Sequence, residues 1–131
     1  MRMSTFETDK EKEIEGAWVD AGAGLRIRVA RVGNQEYQRY LQKLGRPYIQ
    51  SARSGTVPID VVDDITRRAV ARHILLGWEN MQDDNDEEIK YSEEKAFELL
   101  TEYRDFFELV LGFASDIELF RKENHQAAVG N

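Results

Sequence analysis

Residues 92–120, SEEKAFELLTEYRDFFELVLGFASDIELF, place apolar side chains three or four positions apart along almost their whole length. This spacing puts the apolar side chains on one face of an α-helix, because a helix turns once in about 3.6 residues. Ser92 can cap the first turn, and two acids follow it where the helix dipole favours negative charge. The stretch therefore predicts a long helix over about 92–123, with a candidate break at Thr101–Glu102.

Two further helices are predicted upstream of this stretch. Asn34 can cap a short helix over about 34–45, because its side-chain oxygen can accept from free amides of the first turn. Gly45 is a suitable end for that helix, and a loop is expected to follow. Pro58 opens another helix over about 57–81, whose early turns carry acids and whose aliphatic side chains form an inward stripe.

The N-terminal part of the chain predicts two strands. Residues 25–32, LRIRVARV, alternate apolar and basic side chains, which is the period of a half-buried strand. The turn residues 22–24 separate this run from the apolar residues 17–19, so the two runs predict a β-hairpin. Such a ribbon is marginal alone, and its apolar face is expected to lie against the helices. The predicted fold class is mainly α with an N-terminal β-hairpin, an α+β arrangement.

The length of 131 residues suits one domain with its own core, so residues 1–131 are expected to form a single domain. Polar residues dominate both ends, which predicts a frayed N-terminus over about 1–12 and a C-terminal tail over about 124–131. No apolar run approaches the roughly 18 to 20 residues of a membrane span. Residues 1–7 lack the apolar stretch of a secretion signal, and a cytoplasmic location is expected.

Little catalytic chemistry is available in this composition. The chain has no cysteine, which excludes thiolate nucleophiles, disulfides and thiolate zinc sites. Its two histidines, His73 and His125, lie far apart, and His73 is expected at the edge of the core because no acid–base constellation accompanies it. The acidic residues 83–88 are spaced as in a calcium loop, but Glu88 stands where the sharp turn needs glycine. We therefore predict no enzyme activity, no cofactor and no metal.

Charge is segregated along the chain, whose formal net charge is −7. Residues 25–72 carry ten bases and four acids, whereas residues 73–131 carry five bases and fifteen acids. These blocks would let copies meet head to tail, although both can equally be solvated helix surfaces. The pI near 4.9 argues against nucleic-acid binding. The candidate self-association residues are Arg67, Arg68, Arg72, Asp83, Asp84, Asp86 and Glu87.

Aromatic side chains are concentrated in the last helical stretch, where most are expected to fill the core. Phe106 and Phe107 are adjacent and point about 100° apart on a helix, so they need not both face the core. An exposed aromatic patch with a charged rim can hold an apolar helix of another protein. Tyr103, Phe106 and Phe107 are therefore the candidate partner-binding residues.

Three motifs together resemble a known family. They are residues 15–19, EGAWV, residues 76–81, LGWENM, and residues 89–96, IKYSEEKA, which follows across a short acidic loop. From about residue 7 to residue 123, their order and spacing are similar to those of the tail assembly chaperones of long-tailed, non-contractile bacteriophages, the siphoviruses. One departure is the acidic loop, where family members often carry glycine and this chain has Asp86 and Glu87.

The resemblance implies a non-enzymatic assembly factor. Such a chaperone binds the long, helical tape measure protein, keeps it soluble, and helps recruit the major tail tube protein around it. The resemblance also implies self-association into head-to-tail rings or spirals, action in the cytoplasm of the infected bacterial host, and absence from the mature virion. The alternative is a small helical adaptor, or a head–tail joining or completion protein, that binds one partner stoichiometrically. Neither interpretation involves nucleic acid or a membrane.

Overall fold

The computed structural model of the protein describes residues 1–122 and has an α+β fold, as predicted. Short 3₁₀ turns lie at Met3–Phe6, Arg46–Tyr48 and Ile117–Phe120. The helices and strands, in chain order, are α1 (Lys10–Glu15), β1 (Ala17–Gly22), β2 (Leu25–Val29), α2 (Gln35–Gly45), α3 (Ile49–Arg53), α4 (Ile59–His73), β3 (Leu75–Glu79), α5 (Glu93–Glu102) and α6 (Arg104–Ala114).

The predicted β-hairpin is confirmed as strands β1 and β2, which pair antiparallel. Ala23 and Gly24 form its turn, and both have positive φ, at 54° and 82°. A two-residue turn of this kind matches the twist of the flanking strands. Along β2 the side chains of Ile27 and Val29 are fully buried and Arg26 is exposed, so the predicted alternation is also confirmed.

The helix predicted over 57–81 is too long, because α4 ends at His73 and Leu75–Glu79 forms a third strand. This strand, β3, pairs antiparallel with β2 and completes a sheet in the order β1-β2-β3. Its apolar run contains Gly77, which is unfavourable within a helix. A third strand also stabilises a ribbon that two strands alone would leave marginal. Pairing with β2 therefore decides the structure of this run.

Within the N-terminal segment predicted to be frayed over 1–12, residues 1–7 are exposed, whereas Thr8, Asp9 and α1 are tied to the rest of the fold. Asp9 caps α1 by accepting hydrogen bonds from the backbone amides of Glu11 and Lys12. The amide of Asp9 donates to the carbonyl of Phe120 (2.7 Å), and Thr8, only 5% exposed, bridges to Arg121. These contacts join the two ends of the described chain, so the sequence around residues 1–12 could not reveal them.

The remaining helix predictions are largely confirmed. Asn34 caps α2 by accepting from the amide of Tyr37 (3.0 Å), although part of the predicted loop after α2 is helical as α3. The long helix predicted over 92–123 is broken as predicted, but at Tyr103. Its second part, α6, ends at Ala114 instead of near residue 123, because Asp116 caps a separate 3₁₀ turn by accepting from the amide of Glu118. The hydroxyl of Thr101 does not cap a new helix, because it donates to the carbonyl of Phe97 (2.8 Å). The predicted tail over 124–131 lies outside the described residues.

The core lies between the sheet and the helices. Helix α4 packs against α2 and α5, and α6 packs against both α5 and β2. The largest fully buried side chains come from the sheet, from α4 to α6 and from the C-terminal 3₁₀ turn: Phe120, Ile27, Ile74, Leu75, Leu100, Val29, Val70 and Val110. This arrangement leaves the segment after β3 and the junction of α5 with α6 at the surface.

Candidate partner-binding groove

The segment after β3 folds back on itself as a tight loop, residues 81–89, which we call the acidic hairpin. The amide of Ile89 donates to the carbonyl of Met81 (2.8 Å), and Gln82 and Glu88 form an antiparallel bridge. The carboxylate of Asp83 accepts hydrogen bonds from the amides of Asn85 (2.8 Å) and Glu87 (3.0 Å). The acidic hairpin is therefore held by its own hydrogen bonds.

Asp86 takes the backbone conformation for which glycine is usually needed. Its φ is +61°, in the left-handed region that aspartate tolerates better than most residues. The turn is thus formed here by an acidic residue in a conformation that glycine adopts more readily. Asp83 is committed to the turn, and within residues 1–122 no group of three or more histidine, aspartate or glutamate side chains could hold a metal ion.

An aromatic pair fixes the acidic hairpin to the sheet. The indole Nε1 of Trp78, in β3, donates to the carbonyl of Ile89 (2.7 Å). The rings of Trp78 and Tyr91 meet edge to face with centroids 5.0 Å apart. The hydroxyl of Tyr91 in turn donates to the carbonyl of Leu75 (2.8 Å). Burial raises the pKa of Tyr91 above its ordinary value of 10.0, so this hydroxyl, which is protonated at neutral pH in any case, also keeps its proton further into the alkaline range.

The junction of α5 and α6 exposes an aromatic side chain. Tyr103 has an extended backbone conformation between the two helices (φ −115°, ψ 96°). Its amide still donates to the carbonyl of Leu99, and its own carbonyl accepts from Phe107, so the bend leaves neither group unpaired. The side chain of Tyr103 is 52% exposed. We call this junction the elbow.

A groove of about 400 Å³ lies between the acidic hairpin and the elbow. It has an apolar floor and an acidic rim. The apolar side chains come from both segments, and the two carboxylates come from the hairpin. Its lining residues are Met81, Gln82, Asp83, Asp84, Ile89, Leu99, Tyr103 and Phe106. We refer to it as the elbow groove.

The elbow groove brings together candidates that the sequence assigned to different tasks. Asp83 and Asp84 were self-association candidates, whereas Tyr103 and Phe106 were partner-binding candidates, and all four line it. Phe107 does not, because the residue after Phe106 points to another side of the helix. The three aromatic candidates therefore do not form one surface.

Phe107 lines a second groove, of about 380 Å³, on the other side of the elbow. Leu100 forms part of its floor, and Arg67 and Arg104 contribute basic side chains. The Nε atom of Arg67 is buried and has no hydrogen-bond acceptor in the described part of the chain. This second groove thus contains a buried donor without an acceptor.

The other basic candidates are engaged within the chain. The Nε of Arg68 lies 3.0 Å from the carboxylate of Asp64, as the i, i+4 spacing predicts, and its guanidinium lies over the ring of Phe97 (4.3 Å). Arg72 lies over the ring of Tyr40 (4.8 Å). The acidic candidates Asp86 and Glu87 are exposed on the hairpin but do not line the elbow groove.

Two titratable groups outside the grooves have structural roles. His73 lies edge-on to Tyr40 (5.2 Å), and burial, with the charge of Arg72, lowers its pKa despite the opposing charges of Glu36 and Glu93. Burial alone would raise the pKa of Glu13, but hydrogen bonds from Thr8 and Arg31 outweigh it and the pKa is lowered. Neither group lines the elbow groove.

The sequence did not identify the groove floor. Met81, Ile89 and Leu99 are half-buried, and none was singled out as a binding residue. One signal was present, because Met81 and Ile89 are apolar residues on either side of a wholly polar run. Such flanking residues become neighbours when the run folds as a hairpin.

Within residues 1–122, no helix combines the length and the apolar character needed to cross a lipid bilayer.

Comparison with known proteins identifies a family for this chain. No curated protein and no solved structure matches the chain. A family model described as YdaY prophage protein matches residues 32–131, a range that includes both the acidic hairpin and the elbow. The chain therefore belongs to the YdaY prophage protein family, and it is a protein of phage origin.

Proposed function

We propose that this prophage protein is a tail assembly chaperone, which binds and solubilises the tape measure protein and promotes assembly of the tail tube around it. The observation that carries the proposal is the elbow groove, which places a half-buried apolar floor beside the exposed ring of Tyr103. Phage origin and the three sequence motifs support it as well. In this role the protein acts by binding and not by catalysis.

The groove suits reversible capture of a helix. Tyr103 and Phe106 offer aromatic contact area on one wall, and Met81 and Ile89 offer aliphatic contacts on the other. Grooves of this kind hold the apolar face of a helix through side chains spaced three or four residues apart. A single groove of this size gives weak binding, so that the tape measure helix can later be released to the tail tube protein.

Self-association would let many weak binding sites together hold one tape measure molecule tightly. Copies joined head to tail would present repeated grooves along one tape measure molecule, and the combined affinity would exceed that of any single groove. In the proposed contact between copies, the acidic hairpin supplies the negative surface. Arg67, Arg68 and Arg72 of α4 supply the positive surface, on which Arg68 and Arg72 are exposed. The chaperone would work in the cytoplasm of the infected host and be absent from the mature virion.

Co-expression with the tape measure protein of the same prophage tests the proposal. The tape measure protein alone is expected to precipitate, whereas with the chaperone it should stay soluble and co-purify. Tyr103→Ser should reduce the soluble fraction, because it removes the exposed aromatic wall of the groove. Tyr48→Ser is the matched control, since Tyr48 is also exposed (38%) and does not line the elbow groove.

The opposite outcome would favour the stoichiometric alternative. If the chain neither solubilises nor co-purifies with the tape measure protein, the chaperone proposal is wrong. A helical adaptor or a head–tail joining protein would then explain the same groove. If both tyrosine variants behave alike, the elbow groove is not the binding surface.

A further inference from the structure

Asp83 and Asp84 lie on the rim of the elbow groove, and both are exposed. Among residues 1–122, no lysine, arginine or histidine lines the groove. The exposed acids among residues 86–88 extend the negative charge along the hairpin. Arg104, the base next to Tyr103 in sequence, lines the opposite groove. Positive charge on the occupant would therefore complement the rim.

The backbone of the groove leaves little for a strand to pair with. The amide of Ile89 is bonded to Met81, and the carbonyl of Ile89 accepts from Trp78. Addition of a partner strand needs free amides and carbonyls along an edge. The opposite wall is made by the side chains of α5 and α6. Recognition here thus depends on side chains, as it does when a helix lies in a groove.

We infer that the occupant of the elbow groove is a cationic amphipathic helix, in which lysine or arginine residues flank an apolar stripe. The apolar stripe would contact the floor, and the flanking cations would lie beside Asp83 and Asp84. This inference rests on the proposed function in one respect, which is that the tape measure protein supplies the helix. The chemistry of the occupant, an apolar stripe flanked by cations, is argued from the groove residues alone.

Model helices test the chemistry directly. Three fluorescently labelled peptides, each held helical by an internal cross-link, would be titrated with the protein and followed by fluorescence anisotropy. The first has a leucine stripe flanked by lysine, the second has the same stripe flanked by glutamate, and the third has the lysines but a scrambled stripe. The lysine-flanked helix should bind about tenfold or more tightly than the glutamate-flanked one, and the scrambled helix should not bind. Raising the salt from about 50 mM to about 300 mM should weaken the lysine-flanked complex.

A charge-neutralising variant identifies the surface. Asp84→Asn should weaken binding of the lysine-flanked helix by about threefold, because one rim charge is lost while the side-chain shape is kept. Glu15→Gln removes one charge from an exposed position away from the groove and should leave the affinity unchanged. Equal affinity for the lysine and glutamate helices, no binding of either, or indifference to Asp84→Asn would overturn the inference.

The same titrations separate this inference from the proposed function. A tape measure fragment that binds the groove, loses affinity in Tyr103→Ser, and is indifferent to salt and to Asp84→Asn would overturn the inference and leave the chaperone proposal standing. A chain that binds the lysine-flanked helix but no tape measure fragment would overturn the chaperone proposal and leave the chemical class of the occupant standing.

Discussion

Glu13 is the buried acid that links the N-terminus to the rest of the fold. Its carboxylate accepts from the hydroxyl of Thr8 (2.7 Å) and from Arg31 (3.0 Å), and Lys10 lies 3.7 Å away. These partners favour the charged form, so the pKa of Glu13 is below its ordinary value of 4.5. The carboxylate therefore stabilises the fold above pH 4.5, and that stabilisation is lost as the pH falls through the lowered pKa.

Replacing Glu13 should make the free energy of unfolding depend less on pH in the acidic range. Glu13→Gln is expected to lower the free energy of unfolding by about 1–2 kcal/mol at pH 7, since charge-assisted hydrogen bonds are lost. Below pH 4.5 the variant and the parent should converge. Urea titrations across this range measure the effect, with Glu15→Gln as an exposed control. Parallel curves at every pH would show that Glu13 contributes no pH-dependent stability.

The β-hairpin turn contains a residue under backbone strain. Ala23 has φ +54°, where a Cβ atom costs about 1 kcal/mol relative to residues that tolerate the left-handed region. Ala23→Asn creates the Asn-Gly pair favoured in such turns and should raise the free energy of unfolding by about 0.5–1 kcal/mol. Ala52→Asn, in helix α3, should lower it. A destabilised Ala23→Asn variant would contradict this account of the turn.

Single residues were predictable where the signal was local. Asn34 and Ser92 were expected to cap helices, and both side chains accept from amides of the first turn. The linkage of Thr8 and Glu13 was missed, because its partners Arg31 and Arg121 are distant in sequence. Residue propensities and local spacing do not predict contacts between residues that are distant in sequence.

At the scale of elements, the anchor between β3 and the acidic hairpin decides the shape of the groove. Trp78→Phe removes the donor to the carbonyl of Ile89 and should lower the free energy of unfolding by about 1–2 kcal/mol. In this variant, amide exchange within residues 81–89 should speed up relative to the parent chain, and by more than in the other segments. Trp18→Phe is the control, because Trp18, in β1, is 41% exposed and its ring contacts the guanidinium of Arg26 (5.3 Å). Unchanged exchange in 81–89 would contradict the role of Trp78.

Elements were predictable from periodicity only where one period was unambiguous. Residues 75–78 carry no polar side chain, and such a run suits a buried helix or a buried strand equally. Pairing with β2 decided it, and that is a contact between residues about fifty positions apart. The elbow groove depends on the same strand, since β3 supplies Trp78. The sequence offered the rim and the aromatic wall of the groove as candidates, but it predicted neither the apolar floor nor the meeting of the two segments.

At the scale of the whole molecule, charge segregation is the feature that bears on assembly. The proposed head-to-tail contact uses the acidic hairpin of one copy and the basic residues of α4 in the next. Glu87→Lys reverses an exposed charge that does not line the elbow groove, so it should reduce association while sparing the groove. The free energy of unfolding should change by no more than about 0.5 kcal/mol.

Light scattering over a range of protein and salt concentrations measures this effect. The parent chain is expected to grow in mass with concentration at low salt and to shrink as salt is added. Glu87→Lys should need a higher concentration to reach the same mass, and Glu15→Lys, on α1, should behave as the parent does. A parent chain of constant mass at every concentration would contradict head-to-tail assembly.

We propose that the elbow groove is the surface that captures the tape measure protein. Amide hydrogen exchange of the full chain, with and without the tape measure protein, is the most direct test. We expect slower exchange in residues 81–89 and 99–107 on complex formation, with the β1–β2 hairpin unchanged. Slower exchange confined to the β1–β2 hairpin or to α1, with no change at the elbow, would contradict the proposal.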